Sequence, residues 1–172
     1  AWLKEHGPTL KPPVANKLLF GGDLKVMVVG GPNQRRDYHL QEGEEFFAQL
    51  EGTLTLKTIE RGAFRDVKVS GGDCFLLPSR VPHSPQREAA SLGLVFERSH
   101  VEGEMDGMLW FDEDRDLSGR CDLGEIAYEA YFHCTDLGKD LKPVIEDYGR
   151  WKDTGAPPRR RWFPTTSCRW TS

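Results

Sequence analysis

Apolar and polar positions between Leu24 and Glu97 change over at short range, with turn residues returning about every ten positions. The runs LKVMVV (24–29), EEFFAQL (44–50), TLTLKTI (53–59), RDVKVS (65–70), DCFLLP (73–78) and LGLVFER (92–98) predict short strands. Thr53 to Ile59 alternates polar and apolar residues, the period of a strand with one face buried. Gly, Pro, Asn and Ser separate the runs, and no helical period competes with them here. Many short strands of this kind predict an all-β sandwich or barrel.

Beyond Met105 the pattern changes. DEDRD (112–116) is acidic, and apolar Leu137, Leu141, Val144 and Ile145 predict a helix from Asp136 to Tyr148. Pro143 either weakens that helix or marks its start. The last stretch, GAPPRRRWFPTTSCRW, reads as an irregular arm whose Trp162, Phe163 and Trp170 need a surface to cover, either the barrel or a second copy. The expected organisation is therefore a barrel at 1–105 and an extension at 106–172 packed on it, together one structural domain.

Composition narrows the function classes. With 172 residues the chain holds one well-cored domain plus an appended segment. A net charge of -4 gives no electrostatic reason to expect a nucleic-acid partner, and Arg159 to Arg161 read as a solvated linker. No run approaches the roughly 18 apolar residues of a membrane span, and the opening residues lack the apolar centre of an export signal. Cys74, Cys121, Cys134 and Cys168 form no CxxC pair, and reduced thiols in a cytoplasm are expected.

The chemistry concentrates in two blocks, GGPNQRRDYHLQEGEEFFAQLEG (30–52) and GDCFLLPSRVPHSPQR (72–87). Gly31, His39, Glu45 and Gly52 resemble the first cupin motif, and Gly72, Pro78 and His83 the second. Asp37 stands where that motif has its leading histidine, and Arg80 and Arg87 replace a glycine and an asparagine. The resemblance implies a double-stranded β-helix, the jelly-roll barrel of cupins. His39, Glu45 and His83 are then the expected metal ligands, while Asp37 is expected in a turn or supporting role. Two imidazoles and one carboxylate on one face leave positions open for a chelating substrate and dioxygen, which suits non-haem Fe(II). His6, His100 and His133 are expected to be ordinary surface or core histidines.

KPPVANK, GGPNQRRDYH, GEEFFAQLEG, FLLPSRVPHSPQR and GLVFER together resemble the 3-hydroxyanthranilate 3,4-dioxygenase family of the kynurenine route to quinolinate and NAD. The resemblance implies an enzyme that opens the ring of 3-hydroxyanthranilate with O2. It also assigns Arg35 and Arg87 to the substrate carboxylate, Glu97 to its hydroxyl or amine, and Asn16 to a place near the substrate. Chemistry on the residues agrees for the first three. A buried carboxylate calls for a guanidinium, and an acid ending the apolar run LGLVFE is costly unless used. One Fe(II) per chain is expected, without the second rubredoxin-like iron of some relatives, since Cys121 and Cys168 stand alone. The aromatic arm makes a homodimer the expected assembly. The alternatives left open are an oxygenase of a related aminophenol or catechol acid, a cupin that binds a small acid without turnover, and a Zn or Mn isomerase.

Overall fold

The computed structural model describes residues 16–155. Its strands are β1 (Asn16–Phe20), β2 (Leu24–Gly30), β3 (Tyr38–Leu40), β4 (Glu45–Glu51), β5 (Thr53–Glu60), β6 (Ala63–Ser70), β7 (Cys74–Leu77), β8 (His83–Arg87), β9 (Leu92–Arg98), β10 (Asp106–Phe111) and β11 (Ile126–Phe132). Helix α1 (Leu137–Thr154) follows. Among the described residues these strands form two antiparallel sheets, ordered β1-β2-β9-β4-β7 and β11-β10-β3-β8-β5-β6. Consecutive strands change sheet repeatedly, as in a jelly roll, and the all-β expectation holds.

The alternation read from the sequence decides what lies between the sheets. Phe47, Leu54, Leu56, Val69, Leu77 and Val95 form the central core, drawn from both sheets. Residues one position along point the other way. Tyr38, the neighbour of His39, therefore packs on the far face with Ile59, Phe64, Leu109 and Phe111. Leu117 and Leu123 from the connection between β10 and β11, and Ile126 at the start of β11, cover that cluster.

Two motif glycines have steric reasons. A Cβ on Gly31 would stand 2.0 Å from the Glu88 carbonyl oxygen. Gly52 turns β4 into β5 at φ 66°, with Ser91 closely apposed.

The segment expected to begin an extension at 106 enters the six-stranded sheet at once. β10 lies between β3 and β11, with Met108 opposite His39. Without it, the short β3 would be an open edge, and the run MLWF would lack a buried site. Helix α1 begins one residue after the expected start and runs six residues beyond the expected end, passing through Pro143, which is exposed. Asp140 reaches back to accept from the backbone N–H groups of Thr135 and Asp136 at 2.8 Å each, which secures its first turn. The helix lays Val144, Leu141, Tyr148 and Trp151 over Met108, Trp110 and Tyr128, with Trp110 and Tyr148 stacked at 4.4 Å. The aromatic arm, Arg159 to Arg161, Cys168 and His6 lie outside the described residues.

Candidate metal centre

His39 and His83 face each other across β3 and β8 as direct partners in register. Partners in register point to the same side, and here that side is the interior, where both imidazoles are buried. Glu45 opens β4 in the opposite sheet and is also buried. One ligand atom from each of the three residues lies within 4.8 Å of the others. Glu45 Oε1 stands 2.9 Å from His83 Nε2 and 4.0 Å from His39 Nδ1. The approach to His83 is close but poorly directed, so Glu45 Oε1 remains a buried acceptor without a hydrogen bond. A buried carboxylate oxygen left in this way, with two imidazole nitrogens converging on it, fits a divalent cation.

Groups behind the triad orient it. His83 Nδ1 lies 3.1 Å from the Val81 carbonyl oxygen, which only accepts, so Nδ1 carries a proton and Nε2 is the atom left to bind a metal once its own proton is displaced. His39 Nε2 lies 2.9 Å from Asp106 Oδ2, and His100 Nε2 lies 2.6 Å from Asp106 Oδ1. Burial alone would raise the Asp106 pKa, but bonds from His100 and His39 hold it well below the ordinary carboxylate range. Burial would lower the His39 pKa, yet Asp106 and then Glu45 raise it. Burial opposes the charge on Glu45 too, and His83 and His39 keep its pKa low.

Glu97 is the cross-strand partner of Glu45, so both carboxylates share the inner face of their sheet. Burial first, then the Glu45 charge, push the Glu97 pKa from 4.5 up to about 7. Lys25, its partner on β2, approaches to 3.7 Å.

Arg87 closes β8 on the same face as His83, four residues on, and is 4% exposed. Its Nε has no hydrogen-bond partner, and no carboxylate among the described residues pairs with it. Burial, followed by the like charge of Arg35, brings its pKa down from 12.5 to about 10, so it stays protonated at neutral pH. Arg35 differs. Its guanidinium bonds the Asp37 carboxylate through Nε, at 2.7 Å, and through Nη2. Its backbone is clamped by the Gln86 amide, at 3.0 Å and 2.9 Å. Asp37 thus takes the supporting role expected of it.

Asn16 is not brought beside these groups by strand pairing. It opens the outer strand β1 opposite Val29, which faces Gly93, four residues along β9 from Glu97. That offset is about 13 Å along the strand, and β1 lies two strands away from β9. Asp106, His100 and Lys25 are the residues that sequence reasoning missed. One signal was present for Asp106, a single acid opening the apolar run MLWF, because a charge there must find partners. His100, expected to be ordinary, holds the far side of Asp106.

Two facing antiparallel sheets, with two histidines from one and a glutamate from the other, define a cupin-type β-barrel with a candidate metal site. The family model described as 3-hydroxyanthranilic acid dioxygenase matches residues 1–149, and the chain belongs to that family. It is 47% identical over 148 residues to the 3-hydroxyanthranilate 3,4-dioxygenases of Mus musculus and Homo sapiens, covering 86% of this chain and 49% of each relative. A relative with the same name from Pyricularia oryzae is 43% identical, over 86% of this chain and 78% of its own length. The chain thus spans about half the length of the animal relatives it matches. Among solved structures it is similar to a cupin-2 domain containing protein from Shewanella frigidimarina, 14% identical with a TM-score of 0.47, covering 56% of this chain and 91% of the other.

Proposed function

We propose that this chain is the catalytic barrel of a ring-cleaving, extradiol-type dioxygenase. It converts 3-hydroxyanthranilate and O2 to 2-amino-3-carboxymuconate semialdehyde, the precursor of quinolinate. The observation that carries the reading is Arg87, a buried guanidinium whose Nε is unpaired and which forms no ion pair with a carboxylate among the described residues, on the same strand and face as the metal-site histidine His83. A buried cation of this kind costs free energy unless an anion arrives, and a planar carboxylate matches its fork. The substrate's carboxylate is that anion, with Arg35 adding a second positive charge nearby.

His39, Glu45 and His83 would hold one Fe(II) per chain. When bound, Fe(II) supplies the redox chemistry by which O2 reacts with a closed-shell ring. Glu97, with its pKa raised to about 7, is placed to take the phenol proton of the substrate near neutral pH. The apolar core beneath, with Phe47, Leu54 and Val95, keeps water from the reacting ring. Asn16 stays a proposal whose place on β1 lends it no support.

Free Cys74, Cys121 and Cys134 suit a cytoplasmic setting, where thiols stay reduced. Among the described residues no helix is long and apolar enough to cross a membrane. The homodimer rests on Trp162, Phe163 and Trp170, outside the described residues, and sedimentation at working concentration tests it.

The test of function is oxygen uptake by the Fe(II)-loaded chain with 3-hydroxyanthranilate, read beside the absorbance of the ring-opened semialdehyde. One O2 consumed per semialdehyde formed is the expected result. Iron bound at one per chain without uptake would sink the substrate assignment, and related aminophenol and catechol acids would then be screened.

A further inference from the structure

Asp106 does more than fill a core position, because both of its oxygens are committed. Oδ2 faces His39 Nε2 at 2.9 Å and Oδ1 faces His100 Nε2 at 2.6 Å, with the carboxylate 1% exposed. Cys134 stands near the same carboxylate, its thiol pKa raised by burial and by Asp106. Three separate segments therefore converge on one acid: the end of β9 through His100, the start of β10 through Asp106 itself, and the chain after β11 through Cys134.

A carboxylate can only accept here, so each facing imidazole nitrogen must carry its proton. For His39 this leaves the lone pair on Nδ1, the atom that faces Glu45. His100 in turn stops Asp106 from rotating away.

We propose that Asp106, held by His100, is a positioning residue that sets the tautomer and ring orientation of His39 for metal binding. It follows that the candidate metal centre is complete only when β10 and the chain just after β9 are docked. The inference rests on the metal-site part of the functional reading, not on the identity of the substrate.

The test compares Asp106→Asn, His100→Ala and His100→Gln with the unaltered chain, folding being checked by circular dichroism. Metal affinity is read by competition of Co(II) and Fe(II) against a chromophoric chelator, and ligand geometry by the visible spectrum of the Co(II) form. Asparagine has one acceptor and one donor, so it satisfies only one of the two imidazoles. Asp106→Asn is expected to weaken metal binding about 10- to 100-fold and to alter the Co(II) spectrum. His100→Ala should give a smaller loss in the same direction, and His100→Gln, which keeps a donor, should restore most of it.

Unchanged affinity and spectrum in both Asp106→Asn and His100→Ala would overturn the proposal. Should Asp106→Asn fail to fold, the His100 pair alone decides, since loss in Ala without rescue in Gln also counts against it. Lack of turnover with 3-hydroxyanthranilate in the unaltered chain would refute the substrate reading and leave this comparison intact.

Discussion

Replacing Arg87 by Met separates the stability of the barrel from its function. The guanidinium is buried, its Nε is unpaired, and its pKa stands at about 10 against an ordinary 12.5. At about 1.4 kcal/mol per pH unit, that difference sets roughly 3 kcal/mol against the charged form in the folded chain. Below pH 10 the arginine is protonated in both folded and unfolded states, so the full penalty applies at neutral pH. Methionine has a similar length and no charge, and imperfect repacking returns about 1 kcal/mol of the gain. The metal-free Arg87→Met chain should therefore be more stable by about 1–2 kcal/mol, a rise in Tm of about 2–8 °C for a domain of this size. The same change should lower kcat/KM for 3-hydroxyanthranilate by about a thousandfold, because the substrate carboxylate would then be buried without a charge partner. Thermal unfolding followed by circular dichroism, with and without substrate under anaerobic conditions, measures both effects. Substrate should raise the Tm of the unaltered chain and leave that of the variant in place. A Tm lowered by Arg87→Met without substrate would refute the reasoning, because it would mean that the arginine already has a partner worth more than its burial costs.

Glu97→Gln tests the raised carboxyl. Its folded pKa of about 7 exceeds the ordinary 4.5, so its stabilising contribution is full below about pH 4.5 and lost as pH rises through 7. The metal-free variant should match the unaltered chain near pH 4 and exceed it above pH 7, by at most about 3 kcal/mol, in urea midpoints taken across pH. In kcat/KM, the acid limb near pH 7 should vanish, and a retained limb would assign that titration elsewhere. His83→Ala removes one of three ligands, so metal content measured after dialysis should drop from one per chain to near zero. Full retention would exclude the triad as the site. Trp110→Ala removes the ring on which Tyr148 stacks and should cost about 3–5 kcal/mol in denaturant unfolding. A cost under 1 kcal/mol would show that α1 is not part of the cooperative core.

Much of the fold was written in local pattern. The runs at 24–29, 44–50, 53–59, 65–70, 73–78 and 92–98 became β2, β4, β5, β6, β7 and β9 to within a few residues, because a strand with one buried face must alternate. The strands that carry the imidazoles were not legible. β3 is three residues long, and β8 reads HSPQR, polar and interrupted by Pro85. Neither resembles an apolar run, because their inward positions hold His39, His83 and Arg87 in place of aliphatic side chains.

Resemblance to the cupin motifs singled out His39, Glu45 and His83, and the family resemblance added Arg35, Arg87 and Glu97, with the acid that ends the apolar run LGLVFE also costly on chemical grounds. Only the tertiary structure decided which of them lack partners. Arg35 and Arg87 look alike in sequence, yet Asp37 bonds the first, while no carboxylate among the described residues forms an ion pair with the second. It alone placed Glu97 beside Glu45, raising one carboxyl while the histidines lowered the other. It also carried Asp106 behind His39 from a segment expected to lie on the outside of the barrel, with His100 on its far side. The reason is one of range. Local sequence sets which face a side chain takes and can supply a near partner such as Asp37 for Arg35. The groups around Glu45, Glu97 and His39, by contrast, come from strands distant in the chain and meet only once the sheets have closed.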